Sequence, residues 1–479
     1  MNIVELLKKY PSAKPCQDHR LLRQGDIFVA IKGSTFDAHD VLDDVSVKNP
    51  SAIVVQDSSK IPKTFSGEKI IVANTREALD RLCHAYFDYP SQKLFCVGVT
   101  GTNGKTTTSH LIEYALNHFE CGTGVIGTID HHFKKQKWQT NLTTPGSLEF
   151  YSRLNDFVEL GAKALSVEVS SHALDQDRMS SCEFDVAVFT NLTRDHLDYH
   201  GSMEKYFEAK EKFFSEVLER SPKKNKFAVI NQDDEYGRQI RIPKSVQKIS
   251  YGERNADLTY EVLDQDFGGQ KLHIIYQGNK YPAQIQLSGH FNILNFMATL
   301  GVLIARKVPL ADAIGAFTHF QGVRGRLEKV PTDRNIHVFV DYAHTPDALE
   351  NVLETLNAIK GSNRIITVFG CGGDRDKGKR PLMGEIACRF SDHVVMTSDN
   401  PRTEDPKQII KDIEEGGVGE NFESIVDRKK AIERALKMAL PGDAVLIAGK
   451  GHEDYQIIGA TKYQFDDVQI AKEILEKLV

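Results

Sequence analysis

No Cys-x-x-Cys pair occurs, and the seven cysteines lie scattered. An odd count without metal-ligand spacing argues against a disulfide framework and suits a reducing cytoplasm. No apolar run reaches the roughly 18 residues that a membrane-spanning helix needs. A basic excess is missing too: 66 acidic and 60 basic residues leave a net charge of −6, so no nucleic-acid footprint is expected. The first residues, Met1 to Lys9, carry Glu5 inside the apolar run and lysines after it. They read as an amphipathic helix, not as a signal peptide. Internal repeats and low-complexity tracts are absent. What remains is ordinary: 41% hydrophobic and 26% charged residues over 479 positions, enough for roughly two to four globular domains.

The stretch that organises the chain is Leu94 to Thr107, LFCVGVTGTNGKTT. An apolar run reads as a buried strand and a glycine-rich turn follows. An amphipathic helix then carries Leu111, Ile112, Ala115, Leu116 and Phe119. Strand, loop and helix in that order make the context of a phosphate-binding loop. Backbone N–H groups at the helix start face an anion, and the helix dipole adds to their field. Gly101, Thr102, Asn103, Gly104, Lys105, Thr106 and Thr107 form the loop. Lys105 is placed to reach terminal phosphates, and the Thr106 hydroxyl to meet a magnesium ion. The usual spacing has its first glycine where Val99 stands, with Gly98 and Gly101 on either side.

Three units follow from the pattern, all α/β. Residues 1–90 hold strands at Ile27–Ile31, Ala52–Val55 and Lys69–Val72. Residues 91–323 begin at the phosphate loop and add strands at Ala164–Val167, Val186–Phe189 and Phe227–Ile230. Helical patterns lie between them, which predicts a parallel sheet. From about 248 to 288 short alternating strands suggest an antiparallel appendage. Residues 324–479 carry strands at Val338–Val340, Ile365–Phe369, Val394–Met396 and Val445–Ala448.

In open parallel sheets, ligands sit beyond the carboxyl ends of the strands. Here strand after strand ends in a chemically equipped loop: Glu168 to His172, Thr190 to His196, Asp341 to His344, Gly372 to Arg375, Asp399 to Arg402 and Gly449 to Glu453. One such loop means little, but a series at the same end predicts a nucleotide site and a second-substrate site on separate domains. Magnesium prefers oxygen ligands, so His196 is an unusual candidate beside Glu168, and a structural histidine is the other reading. An Arg- and Lys-rich third unit suits an acidic second substrate. Phosphoryl transfer to a carboxylate followed by attack of another group fits the layout. A simple kinase or a nucleotide switch fits it as well.

The loop GTNGKTT resembles the ATP loop of the Mur ligases, the ATP-dependent amide ligases of peptidoglycan precursor synthesis. The stretches Glu168 to His172, Asp195 to Gly201, Asp341 to Pro346 and Gly449 to Glu453 extend the resemblance through all three units. Gly370 to Asp376 and Asp399 to Arg402 narrow it to members that add meso-diaminopimelate to UDP-N-acetylmuramoyl-L-alanyl-D-glutamate. The resemblance implies a UDP-substrate domain, a central ATPase and a Rossmann-like C-terminal domain. It also implies ATP and Mg2+ as cofactors, and a cytoplasmic, monomeric enzyme that engages neither membrane nor nucleic acid.

Residue by residue, the resemblance gives Thr106, Glu168 and His196 to magnesium. Lys210 joins them as a carbamylated lysine, since an ammonium cannot ligate a cation. Asn295, Arg326, Asp341 and His344 are given to ATP, with Lys105, Lys210, His196, Glu168 and Arg326 as the catalytic set. Thr143, Thr144, Ser170, Gln176 and Arg178 are given to the UDP-muramoyl dipeptide. Arg375, Asp399, Asn400, Pro401, Arg402, Gly449 and Glu453 are given to diaminopimelate. The chain departs from the pattern at Asp18-His19-Arg20, where Asp-Ser-Arg is common. It departs again at Ser34-Thr35-Phe36, and at Arg324, where a proline is frequent. A lysine-adding ligase, a folylpolyglutamate synthetase and a regulatory nucleotide-binding module are the competing readings. Arg402 argues against lysine, which brings no far carboxylate, and Thr143-Thr144-Pro145 argues for a muramoyl substrate.

Overall fold

The computed structural model describes residues 3–33, 35–140, 142–417 and 419–478. Met1 and Asn2 of the expected first helix, and Ser34 of the departing loop, lie outside the described residues. The first helix itself is Glu5–Lys9. The chain packs as two compact units. One comprises residues 1–259, 275–279 and 294–313, and the other 260–274, 280–293 and 314–479.

The first unit holds two sheets. Pro15–Cys16, Ile27–Val29, Ala52–Val55 and Glu68–Ile71 pair in that order, all parallel. Alternation decides where each side chain goes. Phe28, Ile53 and Val55 enter one core with Leu42 and Phe65. Ile27, Val29 and Val54 enter a larger core with Leu79, Leu82, Tyr151 and Phe184. The first 90 residues and the central ones therefore share a hydrophobic core.

The second sheet places six parallel strands in the order Gln247–Tyr251, Phe227–Asn231, Val186–Phe189, Phe95–Thr100, Ala164–Glu168 and Thr123–Ile126. His131–Phe133 and Gln136–Trp138 extend it antiparallel. Phe95–Thr100 lies between Val186–Phe189 and Ala164–Glu168. The chain thus leaves to one side of that strand and later returns to the other. The loop after it sits at the point where strand order reverses, where α/β sheets bind ligands. The strand Gln247–Tyr251 was expected to open the antiparallel appendage, but it pairs parallel with Phe227–Asn231. Its short alternating pattern imitates a hairpin strand. The segment before it, with the helix Glu235–Gln239, is long enough for a crossover.

The appendage runs through Leu258–Asp266, Gly269–Tyr276 and Asn279–Ile285, neighbours in that order. Two-residue turns join them, which only antiparallel strands allow. The second unit is built on a sheet ordered Glu328–Val330, His337–Asp341, Ala444–Ala448, Ile365–Phe369, His393–Thr397 and Phe422–Ile425. Only its first strand is antiparallel. Both faces are covered: Phe339, Ile365, Phe369 and Leu446 enter one core, Val338, Ile366, Val368 and Ile447 the other. That is why these strands read as unbroken apolar runs. Among the described residues, no helix is long and apolar enough to cross a membrane.

Candidate active site

Gly101 has φ +153 and Gly104 φ +84, values that glycine adopts without strain. Space is as restrictive as conformation. A Cβ on Gly101 would lie 1.9 Å from Thr190 Oγ1, and one on Gly104 would lie 2.4 Å from Asn295 Oδ1. Both positions therefore require glycine, which brings Thr190 and Asn295 close against the loop backbone. Lys105 opens the helix Lys105–His118 and donates from Nζ to the carbonyls of Gly101 (2.9 Å) and Thr102 (2.8 Å). Thr102 N donates to the Asn191 carbonyl (2.9 Å) and Asn103 N to Asn191 Oδ1 (2.9 Å). Thr190 Oγ1 donates to the Asn103 carbonyl (2.6 Å). The next strand end therefore holds the loop's shape.

Glu168 ends its strand opposite Val99 and is fully buried. Its carboxylate accepts from Thr106 Oγ1 (3.0 Å), Thr128 N (2.8 Å) and Thr128 Oγ1 (3.0 Å). A buried carboxylate needs such donors, and an oxygen set of this kind also suits a hard cation. The residues expected on the muramoyl peptide converge beside it. Thr144 Oγ1 donates to the Glu168 carbonyl (2.7 Å) and accepts from Ser170 N (3.0 Å). Arg178 Nη1 donates to the Thr144 carbonyl (2.7 Å), while its Nη2 donates to Gln176 Oε1 (2.9 Å). Thr143 Oγ1 lies 3.1 Å from Thr128 Oγ1.

Lys210 sits on the helix Met203–Lys212, 1% exposed. Its Nζ donates to the Gly101 carbonyl (2.9 Å) and lies 4.7 Å from the centre of the Tyr206 ring. Burial, reinforced by the nearby charge of Lys105, pushes its pKa well below the usual lysine value. Tyr206 OH lies 3.1 Å from Thr102 Oγ1, so one helix touches the loop twice. His196 has φ +52 and half its side chain in solvent, 3.5 Å from Asp195. Burial, with Lys105 and Lys210 adding to it against Asp195, lowers its pKa and favours the neutral ring. His172 packs edge-on against it at 4.9 Å.

In the second unit, Asp341 ends its strand buried, accepting from Leu327 N (2.6 Å) and Ala343 N (2.8 Å). Burial raises its pKa against the pull of Arg326. The Arg326 guanidinium lies 4.9 Å from the Tyr342 ring centre. The His344 ring lies 4.5 Å from that of Tyr342. The loop after the neighbouring strand begins at Gly449, whose N–H bonds the Asp341 carbonyl (3.0 Å).

Lys450, fully buried, lies 3.4 Å from Asp399 Oδ1, 3.3 Å from Asn400 Oδ1 and 3.1 Å from Glu453 Oε2. Asn400 Nδ2 donates to Glu453 Oε2 (2.8 Å). Pro401 precedes Arg402, which takes φ +51 and donates from Nη1 to the Gly373 carbonyl (2.7 Å). Arg375 lies exposed on the same loop as Gly373. The seven residues expected on diaminopimelate thus occupy three adjoining strand-end loops.

Sequence reasoning missed Thr128, Tyr206 and the role of Lys450. Thr128 had a usable signal, since it follows the strand Thr123–Ile126 at the functional edge. Tyr206 had none beyond lying one helical turn before Lys210.

Two family models match the chain, "Mur ligase middle domain" over residues 99–303 and "Mur ligase, glutamate ligase domain" over 325–451. Among curated proteins, a UDP-N-acetylmuramoyl-L-alanyl-D-glutamate–2,6-diaminopimelate ligase of Geobacter sulfurreducens is 42% identical over 469 residues, covering 94% of this chain and 92% of that protein. The protein of the same name from Aquifex aeolicus is 43% identical over 458 residues, covering 95% and 92%. A solved structure of a ligase with that name superposes with a TM-score of 0.72 at 33% identity, covering 97% of this chain and 95% of the other.

Proposed function

The chain belongs to the Mur ligase family, and from that premise we propose that it joins meso-diaminopimelate to UDP-N-acetylmuramoyl-L-alanyl-D-glutamate at the cost of ATP. It is an ATP-dependent amide ligase of peptidoglycan precursor synthesis. Residues 1–90 are assigned to the UDP-substrate, 91–323 to ATP and 324–479 to the amino acid. Its thiols are free and buried in the described structure, which supports work in the cytoplasm.

A carboxylate resists nucleophiles. The glutamyl oxygen therefore attacks the γ-phosphorus of ATP, ADP leaves, and an acyl phosphate results. The amine of diaminopimelate then attacks the carbonyl carbon. The C–N bond forms, the C–O bond to phosphate breaks, and the amine sheds a proton. Lys105 and the loop amides between Gly101 and Thr107 offset the charge crowding of two anions. Thr106, Glu168, His196 and a carbamylated Lys210 are the groups suited to hold Mg2+, whose chemistry there is to neutralise phosphate charge. The buried environment of Lys210 supports its modification. A neutral amine attacks carbon dioxide, loses a proton and becomes an anionic oxygen ligand. Thr143, Thr144, Ser170, Gln176 and Arg178 hold the muramoyl peptide. Asn295, Arg326, Asp341 and His344 hold the nucleotide. Arg375, Asp399, Asn400, Pro401, Arg402, Gly449 and Glu453 hold diaminopimelate.

One observation carries the reading: Lys105 and the buried Lys210 both reach the Gly101 carbonyl, and Thr106, next along the chain from Lys105, pairs with the buried Glu168. Phosphate release measured with a panel of amino acids tests it. Release is expected only with ATP, the UDP-muramoyl dipeptide and meso-diaminopimelate together. ATP hydrolysis indifferent to both other substrates would overturn the ligase reading.

A further inference from the structure

Behind the phosphate loop, on the far part of its helix, three side chains outside the reaction converge. His110, Glu113 and His132 place their donor atoms within 4.8 Å of one another. His110 and Glu113 are one turn apart on the helix Lys105–His118, hence on one face. His132 lies on the strand His131–Phe133.

Each imidazole is already oriented through its Nδ1. His110 Nδ1 lies 2.9 Å from the Thr106 carbonyl. A carbonyl only accepts, so the proton sits on Nδ1 and Nε2 keeps its lone pair. His132 Nδ1 lies 2.6 Å from Asp130 Oδ1, and Asp130 is itself held by Lys137 at 2.9 Å. His132 Nε2 lies 2.9 Å from Glu113 Oε1. The rings stand 5.7 Å apart, tilted by 41°. Histidines whose second nitrogen is tied to a carbonyl or carboxylate are the usual form of metal-ligating histidines.

We propose that His110 Nε2, Glu113 and His132 Nε2 form a binding site for one transition-metal ion of the zinc class, separate from the nucleotide's magnesium. Two imidazoles and a carboxylate suit Zn2+, Co2+ or Ni2+, with water completing the tetrahedron. They do not suit magnesium, which takes oxygen ligands. Bonds of about 2.0–2.2 Å set tetrahedral ligand atoms roughly 3.3 Å apart. The Glu113–His132 pair at 2.9 Å opens by a few tenths of an ångström, while donor separations of up to 4.8 Å close by as much as about 1.5 Å through side-chain rotation. The proton shared by that pair is released as the ion enters. Once bound, the ion ties the phosphate-loop helix to the neighbouring strand. Thr106, whose carbonyl fixes His110, gives its hydroxyl to Glu168. The site is therefore linked to the nucleotide loop through Thr106.

The test is a titration of the full-length, nucleotide-free protein with Zn2+ alone, read against a competing chelator. One equivalent is expected to bind. His110→Gln and Glu113→Gln are each expected to weaken it by tenfold or more, and Asp130→Asn by roughly tenfold. Circular dichroism checks that each variant is folded. Absorption of the Co2+-loaded wild type provides a readout that needs no variant. Tetrahedral bands without thiolate charge transfer support the site, and thiolate charge transfer would assign the ion to a cysteine and overturn it. Binding equal in wild type and folded variants, or no stoichiometric binding at all, would overturn it too.

Discussion

Two lysines are buried in the two functional regions, and their surroundings are opposite. Lys210, beside the phosphate loop, meets one carbonyl and the face of a tyrosine. Lys450, at the strand ends of the second unit, meets Asp399, Asn400 and Glu453. Burial without a carboxylate partner drives an amine toward its neutral form, which is the nucleophilic one. Lys450 instead ties the Asp399–Asn400 loop to Glu453 through its contacts. Residue type and burial are alike, so the partners alone distinguish the two lysines, and they support the chemical role proposed for Lys210.

Replacing each lysine separates the two roles, and the largest effect is expected at Lys210. Lys210→Ala should lower ligase turnover by roughly a thousandfold or more, the scale of losing a metal-linked catalytic group. Its melting temperature should change little. A short carboxylic acid added to the assay should restore part of the rate, because it replaces the carbamate. Failure of rescue, together with an unmodified Lys210 in an experimental structure, would refute the carbamate.

Lys450→Met should act first on stability, although its partners Asp399, Asn400 and Glu453 belong to the proposed diaminopimelate site. Asp399 and Glu453 would lose their buried counter-charge, at a cost of about 3 kcal/mol in folding stability. Denaturant unfolding of the second unit measures it, and an unchanged midpoint would mean that the tying role is wrong.

A smaller effect is expected at the loop itself. Lys105→Ala should stay folded while turnover falls by roughly a hundredfold, as for a lost charge-stabilising donor. Near-normal turnover would end its assignment to phosphate.

The smallest effect concerns selectivity. The planar fork of Arg402 matches a carboxylate. Lysine would leave the guanidinium without a carboxylate partner, which adds rejection to lost attraction. Arg402→Ala should reduce kcat/KM for meso-diaminopimelate by roughly ten- to a hundredfold, the worth of one charged hydrogen bond. ATP affinity should hardly move. A variant that kept the wild-type preference over L-lysine would show that another residue chooses the amino acid.

Much of this layout was legible in the chain. The run from Leu94 to Phe119 announced strand, loop and helix because apolar period, glycine and Lys-Thr are local signals. The series of equipped loops was legible for a related reason. Parallel strands all end at one edge, so residues just after each apolar run must gather there. Resemblance then supplied what spacing could not, as with Thr144 and Arg178, whose contact spans 34 positions. The strand Gln247–Tyr251 was misread because alternation marks a half-buried strand without giving its partner's direction.

By itself, then, the sequence determined the α/β class, the place of the phosphate loop and the strand ends where polar chemistry collects. These depend on short-range backbone preference and on alternation along the chain. Only the tertiary structure decided that Lys210 would touch Gly101 across 109 positions. The same holds for Thr128 closing over Glu168, Lys450 lying among three acceptors, and His132 meeting Glu113. Such meetings follow from strand order and helix docking. Cooperative packing of the whole core sets these, and no stretch of residues carries them alone.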